Sequence, residues 1–273
     1  MAPTHKLALV TVPPSPDAHH ADAQAAVELA DLAGARLLQV RERLINQGIT
    51  AQGLKDAGDA AAQDVLARAL AQRFPDDAVL SEEAADDLAR LDAERVWIID
   101  PLDGTREFSE PGRDDWAVHV ALWHQGELTA GAVALPARGV TFSTSTPPLT
   151  DVTPDTFDAN RPLRLAVSRS RPPAFVSSLA ERIGADLVGM GSAGVKAMSV
   201  VTGETDAYVH GGGQYEWDSA APVAVARAAG LATSRLDGSP LVYNNSNPYL
   251  PDLVICRAPI HQTLLEQIAR LQV

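Results

Sequence analysis

The apolar run Val96-Trp97-Ile98-Ile99 leads directly into Asp100-Pro101-Leu102-Asp103-Gly104-Thr105. An uninterrupted apolar run of this length reads as a strand covered on both faces. At its end two carboxylates stand three positions apart. Pro101 fixes φ between them and removes a backbone donor, and Gly104 lets the chain turn sharply before Thr105. Anionic side chains beside the free carbonyls of a turn are hard oxygen ligands of the kind Mg²⁺ takes. Gly104 and Thr105 can present backbone N–H groups to an anion. On spacing alone, the run also fits an ordinary acidic surface turn.

The pattern on either side predicts two kinds of architecture. Ala21–Ile45 and Ala57–Arg73 carry apolar residues at helical spacing. Strand-like pieces follow at Ala78–Ser81 and Val96–Ile99, with a short acidic helix between them. Trp116–Trp123 and Leu128–Leu135 flank the hairpin turn Gln125-Gly126, and Thr141–Ser145 reads as an edge strand. Four prolines between Pro147 and Pro162 mark a boundary. Beyond it strands and helices alternate, with strands at 163–167, 187–190, 206–209 and 253–255 and helices at 174–183, 194–201, 218–229 and 260–271. The fold class is α/β, with an α+β first half and an α/β second half. The expected domains are a flexible N-terminal arm over 1–20, an α+β metal-binding domain over 21–150 and an α/β substrate-binding domain over 160–273.

Two further acidic sites stand where a strand or loop meets a helix. Ser81-Glu82-Glu83 follows a strand, and Trp217-Asp218-Ser219-Ala220-Ala221 opens an apolar helix. Separately, each fits a helix cap or an answer to the helix dipole. Together with Asp100 and Asp103 they suggest a shared site, because ligands gather at such junctions. The formal charge of −13 over 273 residues argues against nucleic acid or an anionic membrane as a partner. A small anionic substrate remains compatible, since bound metal reverses the local field.

Cys256 is the single cysteine, so neither a disulfide nor a thiolate metal site is expected. The histidines give no metal signature, because His119 and His124 fall on opposite faces of one strand and His210 precedes a glycine run. No signal peptide and no apolar membrane span are expected, which points to a cytoplasmic protein.

Asp-Pro-Leu-Asp-Gly-Thr, the upstream Ser-Glu-Glu and the downstream Trp-Asp-Ser-Ala-Ala together resemble the inositol monophosphatase superfamily of lithium-sensitive, Mg²⁺-dependent phosphatases. The resemblance runs from about Ala21 to the C-terminus. Within it, Gly104-Thr105-Arg106-Glu107-Phe108 is similar to the CysQ branch, as are Pro111–Trp116 and Arg235–Leu241 in its actinobacterial form. The resemblance implies a layered α-β-α-β-α sandwich of the inositol monophosphatase and fructose-1,6-bisphosphatase type. It also implies hydrolysis of the 3′-phosphate of 3′-phosphoadenosine 5′-phosphate to AMP and phosphate by a metal-activated water. Inositol monophosphatase or fructose-1,6-bisphosphatase activity, or an inactive nucleotide or metal sensor, are the alternatives.

Carried over by motif, Glu82, Asp100 and the Leu102 carbonyl would hold one ion, and Asp100, Asp103 and Asp218 another, with two or three Mg²⁺ in all. Asp59 would work with Thr105 to orient the attacking water, and Asp56 is a rival for that role. Gly104, Thr105, Ser168, Arg169, Ser192, Lys196 and Glu216 are the expected substrate contacts. Ser168-Arg169-Ser170-Arg171 offers guanidinium forks for a second phosphate, and Tyr215 or Tyr249 offers a ring for a base. The expected partner is a small phosphorylated nucleotide, and the protein is expected as a monomer or homodimer.

Overall fold

A computed structural model describes residues 16–146 and 161–271. Most of the expected arm, and the Pro147–Pro162 boundary apart from its last two residues, lie outside the described residues. Two helices come first, α1 (Pro16–Asn46) and α2 (Ala51–Arg73). Strands β1 (Ala78–Ser81), β2 (Arg95–Asp103), β3 (Ala117–His124), β4 (Glu127–Leu135) and β5 (Val140–Ser143) then form one sheet in sequential order. β1 pairs parallel to β2, and the remaining pairings are antiparallel. Helix α3 (Thr105–Ser109) sits between β2 and β3. It has no counterpart in the sequence reading, because five residues are too few to show a helical period.

The second half contains β6 (Arg164–Ser168), α4 (Ala174–Ile183), β7 (Asp186–Met190) and α5 (Ala193–Val201). It continues with β8 (Ala207–Gly211), α6 (Glu216–Ala228), β9 (Ala232–Ser234), β10 (Asp252–Cys256) and α7 (His261–Ala269). Its sheet runs β7-β6-β8-β10-β9. The first three strands are parallel and β10 is antiparallel to both its neighbours. The alternation of elements foretold the parallel part; the three-residue β9 was too short to detect.

The residues on β2 explain the layering. Trp97 and Ile99 pack with α1 and α2, through Leu29, Leu37, Leu66 and Leu70. Val96 and Ile98 face the other way, into a core with residues of α5, α6 and the second sheet. Each such buried side chain contributes about 1.5–3 kcal/mol, which is why both faces must be covered. On the far side of the second sheet, Leu165, Val167 and Val254 pack against Val176 and Leu179 of α4 and Leu264 and Ile268 of α7. The layers are therefore α1/α2, first sheet, α5/α6, second sheet, α4/α7, the expected five-layer sandwich. The middle helices carry the α5 and α6 N-termini to the end of β2. No helix among the described residues is long and apolar enough to cross a membrane.

Candidate metal centre and substrate cleft

Residues three apart on a regular strand point to opposite faces, so Asp100 and Asp103 require a local irregularity to share a site. The pairing of β2 with β3 provides one. Asp100 stands opposite His119 and Asp103 opposite Ala117, so three steps on β2 match two on β3. This one-residue bulge absorbs Pro101, which a regular ladder would not accept. The Leu102 N–H donates to Asp100 Oδ1 at 3.0 Å and holds the turn closed. Gly104 then takes φ +87°, a left-handed conformation that opens α3.

Asp218, the third residue of α6, completes the group. One ligand oxygen each from Asp100, Asp103 and Asp218 lie within 4.8 Å of one another. Glu82 lies outside this compact trio and is exposed as a whole residue, yet its carboxyl is near enough to that of Asp100 for each to shift the other's protonation. Its backbone N–H donates to Ile99 O, which fixes it at the end of the β1–β2 ladder. Burial and the charge of Asp218 push the Glu82 carboxyl up to about 7. Burial and Glu82 push Asp100 well above the ordinary range. Burial and Asp103 push Asp218 up to about 6. Such crowding of buried carboxylates keeps protons bound unless a cation takes their place. The donor set is all oxygen, which fits a hard divalent ion such as Mg²⁺.

Asp103 is the exception, with its carboxyl held well below the ordinary range. Burial opposes this, and His119 with Lys196 and Ser192 overcomes it. Its Oδ2 accepts from Ser192 Oγ and, at 2.7 Å, from Gly194 N in the first turn of α5. His119 Nε2 lies 3.2 Å from the same oxygen, a charge contact without the alignment of a hydrogen bond. The other ring nitrogen, Nδ1, donates to the Trp217 carbonyl at 3.1 Å. The imidazole, fully buried and with its pKa raised by Asp103 against the cost of burial, faces a carboxylate on one side and a carbonyl on the other. Gly194 makes room for it, because a Cβ there would come within 2.1 Å of Nε2. The sequence reading passed over His119. Strand parity contained the signal, since His119 shares a face with Ala117 and Ala121, which pack in the core containing α5 and α6.

Thr105 Oγ1 lies 3.4 Å from Asp59 Oδ1 and 3.1 Å from the Leu102 carbonyl, with one proton to give. Burial and the charge of Glu83 raise Asp59 to about 6, against the pull of the Thr105 bond. Asp56 faces solvent and accepts from Gln52 instead. The geometry therefore brings Asp59, not its rival, to Thr105.

A cleft of about 340 Å³ opens beside the trio, lined by Asp103, Asp218, Ser168, Arg171, Ser192 and Lys196 among others. Ser192 opens α5 and accepts from Val195 N at 3.0 Å, while giving its hydroxyl proton to Asp103. Lys196 is buried, donates to the Ser192 carbonyl, and lies 5.3 Å from the Tyr208 ring centroid. Two expected substrate contacts are engaged elsewhere. Arg169 turns to Glu107, at 2.9 Å, and to Glu110. Glu216 is buried and both its oxygens are taken, Oε2 by Asn244 N and Oε1 by Asn245 N and Nδ2. Arg171, two positions beyond Arg169, is the guanidinium that lines the cleft. Glu107 and Phe108, which carry the likeness to the CysQ branch, are both buried, Glu107 against Arg169 of the second half and Phe108 in the first-half core with Trp116. Tyr215 stacks on Trp217 with centroids 4.8 Å apart and meets Tyr249 edge-on, outside the residues that line this cleft.

A layered sandwich with carboxylates from the end of β2 and the start of α6 defines a family. Residues 19–273 match the inositol monophosphatase family, and the chain belongs to it. Among its relatives, a 3′-phosphoadenosine 5′-phosphate phosphatase of Mycobacterium bovis is 56% identical over 246 residues, 87% of this chain and 89% of the relative. The 3′(2′),5′-bisphosphate nucleotidase CysQ of Escherichia coli O157:H7 is 30% identical, covering 80% and 88%. The crystal structure of CysQ from Bacteroides thetaiotaomicron superposes with a TM-score of 0.71 at 26% identity, over 87% of this chain and 97% of that one.

Proposed function

We propose that this chain is a Mg²⁺-dependent phosphomonoesterase that removes the 3′-phosphate of 3′-phosphoadenosine 5′-phosphate, giving AMP and phosphate. The observation that carries this reading is the polarity of the cleft. Asp103 and Asp218 line it together with the cations Lys196 and Arg171. A substrate with a scissile phosphate and a second anionic group matches that combination of a metal-binding acidic group and free cations, and an inositol monophosphate leaves part of it unused. The likeness to the mycobacterial phosphatase supports the same substrate class.

Glu82, Asp100, the Leu102 carbonyl, Asp103 and Asp218 would hold two or three Mg²⁺ ions. Bound there, Mg²⁺ would make water a better nucleophile and offset charge on the phosphoryl group. Asp59 accepts from Thr105 and fixes the hydroxyl that orients the water. The backbone of Gly104 and Thr105 lies against the equatorial oxygens, where a loose transition state spreads its charge. Ser192 keeps Asp103 oriented, while Ser168, Lys196 and Arg171 hold the remainder of the substrate. Residues from the first half hold the metal and residues from the second half hold the nucleotide, with Asp218 reaching across. The protein acts in the cytoplasm as a monomer or homodimer.

Phosphate release with Mg²⁺ from 3′-phosphoadenosine 5′-phosphate, inositol 1-phosphate and fructose 1,6-bisphosphate tests the reading. The bisphosphate nucleotide is expected to give the highest kcat/KM. A preference of about tenfold or more for inositol 1-phosphate, a difference of 1.4 kcal/mol, would overturn the substrate. No release from any of the three would favour a binding role without turnover.

A further inference from the structure

Arg90 is 1% exposed, on a 3-10 turn (Leu88–Asp92) that follows the Glu82 loop. Its guanidinium forks onto Asp86 through Nε at 2.7 Å and Nη2 at 2.9 Å. The same group reaches Asn244 Oδ1 through Nη1 at 2.6 Å and the Asn245 carbonyl through Nη2 at 2.8 Å. On the opposite side of those two asparagines lies Glu216. It accepts from Asn244 N at 2.6 Å, Asn245 N at 2.9 Å and Asn245 Nδ2 at 2.8 Å. One short turn is thus held between a cation that takes its oxygens and an anion that takes its N–H groups. Asn244 sits at φ +62° within this grip, and its Nδ2 returns a bond to the Arg90 carbonyl at 3.3 Å.

Burying charged groups is costly even when, as here, Arg90 is paired with Asp86 and Glu216 is saturated by N–H donors, and apolar residues often fill such space at no loss of stability. What such a network supplies is a fixed register between the segments it joins. Glu216 is the first residue of α6, two positions before Asp218, and its own N–H donates to Pro248 O at 2.8 Å.

We propose that Arg90 is a positioning residue for the metal centre. By clamping the Asn244-Asn245 turn against Glu216, it fixes the first turn of α6 and so the place of the Asp218 carboxylate relative to Asp100 and Asp103. This rests on the metal reading of Asp218 given above. Glu216 belongs to the clamp, which accounts for its absence from the cleft lining.

The test is calorimetric titration of the whole chain with Mn²⁺ in the absence of substrate, beside Tm in chelator. Arg90→Met should weaken Mn²⁺ binding by roughly tenfold or more, the scale of losing an outer-shell partner. Asn244→Gly keeps the positive φ and the N–H to Glu216 but deletes the two Asn244 side-chain bonds to Arg90, leaving the one to the Asn245 carbonyl, so it should weaken binding in the same direction by less. Leu264→Ala, in the core between the second sheet and α7, should lower Tm without moving Mn²⁺ affinity. The proposal is overturned if Arg90→Met and Asn244→Gly lower Tm as Leu264→Ala does yet bind Mn²⁺ like the wild type. Should Arg90→Met fail to fold, Asn244→Gly decides alone. If the wild type itself takes up no Mn²⁺, the metal reading fails and not the clamp alone.

Discussion

The acidic wall, with Asp103 on the cleft and Asp100 behind it, is shaped by its own stretch of chain, through a bulge, a proline and a left-handed glycine. The wall that carries Ser168, Arg171 and Lys196 is shaped by partners distant in sequence. Arg169 is drawn aside by Glu107 and Glu110, and Asp115 accepts the Gly191 N–H at 2.7 Å. Where covalent neighbours determine a conformation, the residue types announce it. Where distant neighbours do, the same residue types leave several outcomes open. The first wall concentrates negative charge, and the second carries the cations Arg171 and Lys196.

Changing the acidic wall should have the largest effect. Asp103→Asn keeps the side-chain volume but removes the charge that His119, Ser192 and Gly194 are arranged around. It should lower kcat by on the order of 1,000-fold, the scale of losing an electrostatic group from a transition state. Circular dichroism should remain unchanged. Near-normal turnover would mean that the metal lies elsewhere.

His119 is fully buried in the first sheet, and Asp103 raises its pKa against the cost of burial. His119→Gln should cost the metal-free protein about 1–3 kcal/mol, because Asp103 then keeps only Lys196, Ser192 and Gly194 as partners. Denaturation in chelator and again with Mg²⁺ would show whether the deficit narrows once a divalent ion supplies the missing charge. An unchanged stability would remove His119 from the account.

How much of this was legible in the sequence follows the same division. Asp100, Asp103 and Asp218 were found from residue type and junction, and the structure brings them together. Asp59 and Asp56 could not be separated, because the phase of α2 against Thr105 depends on tertiary packing. Arg169 and Glu216 were read as substrate contacts, and long-range pairs claim both. Nothing in a single sequence indicates that Asn244 and Asn245, nearly thirty positions on, will saturate Glu216. The long helices and the hairpin strands were legible from period and turn residues, whereas α3 and β9 are too short to carry a period.

On the cationic wall, Arg171→Gln should raise KM for 3′-phosphoadenosine 5′-phosphate by about tenfold, within the 1.5–3 kcal/mol range of a charge-assisted bond. For adenosine 3′-monophosphate, which lacks the second phosphate, KM should stay unchanged. Arg169→Gln should instead lower Tm, since its partners are Glu107 and Glu110. Equal losses on both substrates in Arg171→Gln would show that it serves structure and not selection.

The smallest effect expected is in pH dependence. Folding raises Glu82 from 4.5 to about 7 and Asp218 from 3.8 to about 6. Below the unfolded values both states are protonated and no penalty arises. As pH rises from there through the folded values, the metal-free fold must give up those protons and loses stability. Mg²⁺ relieves the same repulsion, so the rise in Tm on adding it should be a few degrees greater at about pH 8 than at about pH 5.5. A shift independent of pH would indicate that the ion does not replace those protons.

The central claim is that one cleft joins a metal end to a cationic end selective for a second phosphate. The most direct measurement is the ratio of kcat/KM for 3′-phosphoadenosine 5′-phosphate to that for adenosine 3′-monophosphate, with Mg²⁺ saturating. A ratio of about tenfold or more is predicted, the value of one additional charge-assisted contact. A ratio near one, or a preference for the monophosphate, would contradict it.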